Sequence, residues 1–110
     1  MKCVIFRMLI VVVLGTTTIS FASAQGIKFV ESSFKEALAQ AKQENKLLFM
    51  DCYTSWCGPC RLLANRVFPN DSIGQFFNTN FISLKMDMEK GEGPALARQY
   101  GVKAYPTLLF

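Results

Sequence analysis

The chain of 110 residues contains no histidine, and this absence argues against several kinds of site. A cysteine hydrolase needs a base beside its nucleophile, and histidine is the usual base. A tetrahedral zinc site needs four ligands, commonly supplied as two pairs. Only one Cys-x-x-Cys motif is present, at Cys57 and Cys60, and Cys52 could add just a third sulfur from a strand. The sequence therefore predicts no metal site.

The chain also lacks repeats, low-complexity segments and any block of like charges. Its twelve basic and eight acidic residues alternate along the sequence, and two of the basic ones, Lys2 and Arg7, lie at the extreme N-terminus. Nucleic-acid binding normally needs basic residues clustered on one surface. We therefore expect no nucleic-acid partner.

The first 24 residues have the three-part layout of a secretory signal peptide. Lys2 and Arg7 are followed by an apolar run at 8–14 and by Ala22-Ser23-Ala24, which has the form of a cleavage site. We predict a signal peptide at 1–24 and one domain at 25–110, exported across the inner membrane to the periplasm. The alternative is an uncleaved N-terminal membrane anchor, for which Arg7 and the polar residues near its end are unfavourable.

The remainder alternates helices and strands, which predicts an α/β fold with helices on both faces of a sheet. Helical spacing, turn residues and caps predict helices at 34–45, 59–68 and 94–100, with a short helical turn at 72–77. Ser33 and Glu36 form a capping box before the first helix, and Gly101 ends the last one. Apolar and alternating runs predict strands at 46–53, 81–88 and 105–110, with 26–30 as an added edge strand.

Three of the four cysteines lie within nine residues of each other, at Cys52, Cys57 and Cys60. Stapled secreted domains usually spread their cysteines along the chain. A disulfide between i and i+3 closes so small a loop that it stabilises the fold little. At the start of a helix, free backbone N–H groups and the dipole favour a thiolate on Cys57. Clustering and position together favour a redox pair.

These residues bring the chain close to a known family. Trp56-Cys57-Gly58-Pro59-Cys60 after an apolar strand, with Tyr105-Pro106-Thr107 before another, resembles thioredoxin over residues 47–110. The stretch 65–71 is similar to secreted thioredoxin-like proteins and to the C-terminal domain of the membrane disulfide reductase. The resemblance implies a central mixed β-sheet flanked by helices.

The resemblance also implies a role for each matching residue. Cys57 matches the attacking cysteine, Cys60 the resolving one, and the two form a redox-active disulfide. Asp51 matches a buried acid that helps deprotonate the resolving thiol, although a strand-end acid bonded to backbone is the alternative. The resemblance implies that five further residues line the site: Trp56, Gly58, Pro59, Tyr105 and Pro106. It also implies that the peptide bond before Pro106 is cis. A core tryptophan and an ordinary trans proline are the simpler alternatives for Trp56 and Pro106.

The chain departs from the family pattern at three places. Tyr105 stands where thioredoxin has a small or β-branched residue, which affects substrate choice. Cys52 replaces an aromatic residue, and a small buried hydrophobe is favoured for it over a third redox partner. The family continues beyond Phe110 with a strand and a closing helix, so we expect the domain to be truncated at its C-terminus.

The resulting hypothesis is a secreted, monomeric thiol–disulfide oxidoreductase that reduces protein disulfides and needs no cofactor. Its partners would be protein disulfide substrates and a membrane or periplasmic thiol that donates electrons. Within enzymes, the alternative is a disulfide oxidase or isomerase. Outside enzymes, the alternative is a redox-inert thioredoxin-like binding domain.

Overall fold

The computed structural model describes residues 25–110, so the predicted signal peptide at 1–24 lies outside the described residues. The four strands are β1 Phe29–Val30, β2 Leu47–Tyr53, β3 Phe81–Asp87 and β4 Thr107–Leu109. The helices are α1 Phe34–Gln43, α2 Gly58–Leu62, which continues into a π-helical segment at Leu63–Val67, α3 Asp71–Asn80 and α4 Gly93–Tyr100. None of the helices within 25–110 is long and apolar enough to cross a membrane.

The strands form one mixed sheet in the order β1-β3-β2-β4. The β1–β3 and β2–β3 pairs are parallel, whereas β4 runs antiparallel to β2. The central β2–β3 register places Phe49 beside Ser83 and Asp51 beside Lys85. The mixed sheet flanked by helices confirms the predicted fold class.

One face of the sheet is covered by α1 and α4. Apolar side chains of β2 and β3 pack there against these helices in a buried core: Ala37, Ala41, Met50, Cys52, Ile82, Leu84, Met86, Met88, Leu96 and Val102. Helix α1 begins with the predicted capping box, in which Ser33 and Glu36 bond to each other's backbone N–H groups. Helix α4 ends at Gly101, whose φ of 65° is the left-handed conformation that glycine adopts at low cost.

The opposite face is rich in phenylalanine. Phe49 of β2 is fully buried and contacts the rings of Phe29, Phe68, Phe77 and Phe110, with centroids 4.8–6.3 Å apart. Phe68 follows the π-helical segment and Phe77 belongs to α3. The helices after β2 are therefore held to the sheet mainly by aromatic packing.

Two local predictions were wrong. The short turn at 72–77 is a helix of ten residues, because Asn70 caps its first turn and Gly74 lies against the backbone of Gly26, where a Cβ atom would not fit. The helix at 59–68 is not uniform: the Phe68 N–H bonds to the Leu63 carbonyl at 2.9 Å, five residues back. This single wide turn shifts the phase of the helix before Phe68 enters the core.

Candidate active site

The redox-active pair lies where β2 leads into α2. Cys57 and Cys60 form a disulfide across the first turn of that helix. Cys57 is the N-cap residue in an extended conformation, and its Sγ accepts a hydrogen bond from the Cys60 N–H at 3.2 Å. Pro59 occupies the first turn, where its missing N–H costs no helical hydrogen bond. The backbone therefore directs an N–H dipole at the first sulfur of the pair.

Both cysteines are shielded in the disulfide form, Cys57 at 2% and Cys60 at 5% exposure. Exposure therefore does not distinguish an attacking from a resolving sulfur. The distinction rests on position, since only the Cys57 Sγ receives the backbone N–H at the start of the helix. That N–H would stabilise negative charge on this sulfur once the disulfide opens.

Trp56 and Tyr105 form an aromatic wall beside the disulfide. Their rings meet edge to face with centroids 6.1 Å apart, and Trp56 remains 64% exposed. The Trp56 indole Nε1 donates a hydrogen bond to the Glu89 carboxylate, which fixes the ring at its outer end. Trp56 is thus a surface wall rather than a core residue, and Tyr105 extends this wall toward β4.

The segment before β4 carries Pro106, another of the predicted site residues. The Tyr105–Pro106 peptide bond is cis, and Pro106 is half-buried. Within the motif itself, Gly58 is half-buried and Pro59 is exposed. A Cβ atom at Gly58 would contact nothing within 4 Å, so the space above the first turn of α2 is open. This open space contrasts with the shielding of Cys57 and Cys60, the two cysteines on either side of it.

Asp51 is the buried acid near the end of β2. It is 1% exposed, and its Oδ1 atom has no hydrogen-bond partner among the described residues. Burial raises the pKa of this carboxyl, and the Lys85 ammonium opposes the shift. Asp51 makes no hydrogen bond to either cysteine within the described chain. Its neighbour on β3 is Lys85, which lines a cavity together with Cys60.

A small cavity of about 120 Å³ lies beside the resolving cysteine. It is lined by these residues: Tyr53, Thr54, Ser55, Cys60, Arg61, Ala64 and Lys85. The Lys85 ammonium lies 5.0 Å from the centroid of the Tyr53 ring, while Arg61 donates to the Ser55 carbonyl at 3.1 Å. The atoms that line this cavity are mostly apolar, so the few polar groups that face it have few possible hydrogen-bond partners besides one another.

Cys52 is a different kind of cysteine from the pair. It is fully buried in the α1–α4 core and forms no disulfide. Burial and the nearby Asp51 carboxylate raise the pKa of its thiol to about 11. A thiol with this pKa is almost entirely protonated near neutral pH and reacts slowly. Residues 25–110 contain no cluster of acidic or cysteine side chains that could hold a metal ion.

Sequence reasoning missed three contributors to the site, Thr54, Lys85 and Glu89. Lys85 carried a detectable signal, because a lysine within an alternating apolar strand either leaves the core or has a special partner. Glu89 lies 33 residues from Trp56 along the chain, and no spacing rule connects them. Thr54 gave no signal, since a threonine before a helix is common.

Comparison with known proteins agrees with this geometry. The family model for thioredoxin matches residues 25–110. Thioredoxin H4 of Arabidopsis thaliana is 40% identical over 73 residues, which cover 66% of this chain and 57% of that protein. The chain therefore spans little more than half the length of this relative.

Two solved structures share the fold. One is the solution structure of a protein from Bacteroides thetaiotaomicron, provisionally named a disulphide-isomerase, which is 58% identical with a TM-score of 0.70. The match covers 81% of this chain and 74% of that one. A thioredoxin from Thermus thermophilus is 22% identical with a TM-score of 0.67, covering 76% and 62% of the two chains. From its sheet, its cysteine pair and these matches, the chain belongs to the thioredoxin family.

Proposed function

We propose that this protein is a thiol–disulfide oxidoreductase that reduces protein disulfides through Cys57 and Cys60. The Cys57 thiolate attacks one sulfur of a substrate disulfide, forming a mixed disulfide and releasing one substrate thiolate, which takes a proton. The Cys60 thiolate then attacks the Cys57 sulfur and releases the second substrate thiolate. Two electrons pass from the dithiol to the substrate, and the Cys57–Cys60 disulfide remains.

The observation that carries this proposal is the bonded pair at the start of α2, with the Cys60 N–H directed at the Cys57 sulfur at 3.2 Å. This contact stabilises the thiolate needed for attack. The aromatic wall of Trp56 and Tyr105 and the open space above Gly58 offer a surface for an extended substrate. Asp51, with its raised pKa, is proposed to exchange the proton of the resolving thiol.

The reducing direction and the location are further parts of the proposal. The Gly58-Pro59 dipeptide resembles that of reducing members of the family. The signal-like segment at 1–24 supports export to the periplasm, where a membrane or periplasmic thiol would have to re-reduce the pair.

The decisive measurement is the midpoint potential of the pair, obtained by equilibrating the full chain in glutathione and dithiothreitol buffers. Trypsin releases Cys52, Cys57 and Cys60 together on peptide 47–61. After acid quenching and alkylation under denaturing conditions, this peptide carries one label in the disulfide form and three in the dithiol form. A potential near about −270 mV, where thioredoxin lies, supports the reductase.

Two variants test the assigned order of attack. Cys60→Ser should accumulate a mixed disulfide between Cys57 and a substrate protein, because the resolving thiol is missing. Cys57→Ser should accumulate none. Equal trapping by both variants would contradict the assignment of Cys57 as the attacking residue.

A second candidate is a disulfide isomerase, favoured by the provisional name of the 58% identical protein. It predicts a potential near about −180 mV and restoration of native pairing in a substrate with mispaired disulfides. A value near about −120 mV would instead indicate an oxidase. A pair with no exchange at all would identify a redox-inert binding domain.

A further inference from the structure

Thr54 is a buried polar residue beside the disulfide to which the proposed mechanism gives no role. It lies between β2 and α2, and its carbonyl accepts the Cys57 N–H at 3.3 Å. Its side chain is 1% exposed, and its Oγ1 atom has no hydrogen-bond partner among the described residues. A buried hydroxyl without a partner destabilises the state in which it occurs.

The hydroxyl shares its surroundings with the resolving cysteine. Thr54 and Cys60 line the same cavity of about 120 Å³, together with the cationic side chains of Arg61 and Lys85. Reduction of the pair therefore changes the chemistry of a residue that lines the same space as Thr54.

The two redox forms differ in what they offer a hydroxyl. A thiol is a weak donor, and a thiolate is a good acceptor, whereas a disulfide sulfur has no proton to donate and accepts poorly. A threonine hydroxyl can both donate and accept. An interaction made in one state and not in the other shifts the equilibrium between them.

We propose that the Thr54 hydroxyl, unpartnered in the disulfide form, bonds to the Cys60 sulfur in the dithiol form and so makes the pair more oxidising. This inference rests on the proposed function, since it requires that the pair cycles. The reaction concerned is protein disulfide plus two glutathione thiols giving protein dithiol plus glutathione disulfide. Two electrons and two protons pass from glutathione to Cys57 and Cys60.

The test compares Thr54→Val with Thr54→Ser in glutathione buffers, using the label count on peptide 47–61. Valine keeps nearly the same shape without the hydroxyl, whereas serine keeps the hydroxyl. Ser83→Ala is the matched control, because Ser83 is also buried and unpartnered but lies in β3 and does not line this cavity. If Thr54→Val does not fold, Thr54→Ala replaces it in the same comparison.

Thr54→Val should shift the equilibrium about tenfold toward the disulfide, which corresponds to a potential about 30 mV more negative. Thr54→Ser and Ser83→Ala should stay within about twofold of the wild type. An unchanged potential in Thr54→Val, or an equal shift in Ser83→Ala, would overturn the inference. An unchanged potential would mean that water satisfies the Thr54 hydroxyl in both redox forms. An equal shift in the control would mean that losing a buried hydroxyl affects folding alone. A wild-type pair that never exchanges with glutathione would instead refute the proposed function, and this inference with it.

Discussion

The three described cysteines show how position alone sets the reactivity of a thiol. Cys52 is enclosed by core side chains, and burial with the Asp51 charge raises its pKa to about 11. Five residues later, the Cys57 sulfur accepts a backbone N–H, which favours its charged form once it is reduced. The chain thus places an unreactive thiol and a reactive thiol only five residues apart. Residue type alone could not have distinguished the two thiols. The buried strand predicted around Cys52 did distinguish them, because it placed that thiol in the core.

Asp51 yields a prediction on stability. Because its pKa is raised in the folded state, the carboxyl ionises in the unfolded chain at lower pH than in the folded one. The protein is therefore stabilised by the protonated carboxyl at low pH. This stability is lost as the pH rises from about 4, the ordinary pKa of an aspartate in the unfolded chain, through the raised pKa of Asp51 in the folded protein. Asp51→Asn should be more stable than the wild type at pH 7.5 and equal to it near pH 3, by urea unfolding. The exposed acid Asp71 provides the control, and Asp71→Asn should show no such gain.

The same variant tests the proton exchange assigned to Asp51. Asp51→Asn should slow resolution of the mixed disulfide by about 10²-fold at pH 7, the lower end for general acid–base catalysis. The defect should shrink toward pH 9, because hydroxide in the solvent increasingly replaces the carboxylate as the base. Stopped-flow kinetics with a small disulfide substrate measures this rate. An equal defect at both pH values would point to lost packing and not to a lost base.

At the scale of elements, caps were easier to predict from sequence than internal geometry. The capping box at Ser33 and Glu36 and the left-handed Gly101 follow from residue types at fixed spacing. The π-helical segment 63–67 does not, because no residue type at a fixed spacing marks the wide turn that precedes the buried Phe68. The length of α3 was underestimated for a similar reason. Glycine disfavours a helix by its intrinsic propensity, but in the folded protein only glycine fits at position 74, against the backbone of Gly26. Tertiary contacts override propensity in both cases.

The capping box gives a prediction for α1. Ser33 accepts from the Glu36 N–H at 3.2 Å, and its own N–H donates to the Glu36 carboxylate at 2.9 Å. Ser33→Ala should destabilise the fold by about 1 kcal/mol, as measured by urea unfolding at pH 7. These hydrogen bonds lower the pKa of Glu36, so the contribution of its carboxylate should fade as pH drops below about 4. Ser32→Ala is the control and should change stability by less than half as much.

At the scale of the whole molecule, the two faces of the sheet are packed with different side chains, and one of them also carries the charged residues near the disulfide. The α1–α4 face encloses Cys52 in an aliphatic and sulfur-containing core, and the other face is aromatic around Phe49. Asp51 and Lys85 occupy the aromatic face, at the end of the sheet nearest α2. The fold class followed from the alternation of helices and strands. The pairing of Asp51 with Lys85, which lines the Cys60 cavity, required the register of β2 and β3.

Because Cys52 is enclosed by the whole fold, its alkylation should report global unfolding. Phe49 packs on four other rings, so Phe49→Leu should destabilise the protein by about 1–2 kcal/mol through lost contacts and a residual cavity. The population of unfolded chain, and with it the labelling of Cys52 by iodoacetamide at pH 7.5, should rise about 5–30-fold. The label is read as the mass of peptide 47–61 from the disulfide form.

Phe76→Leu is the matched control, because the Phe76 ring is 59% exposed and its loss removes little buried area. Its labelling rate should stay within about twofold of the wild type. The Cys57–Cys60 potential should be unchanged in Phe49→Leu, because Phe49 does not line the cavity beside Cys60 and its loss should destabilise the disulfide and dithiol forms alike. Labelling of Cys52 that is fast in the wild type and insensitive to Phe49→Leu would mean that the thiol is reached by local opening of β2. In that case Cys52 would be available for exchange with the pair, and its assignment as an inert core residue would fail.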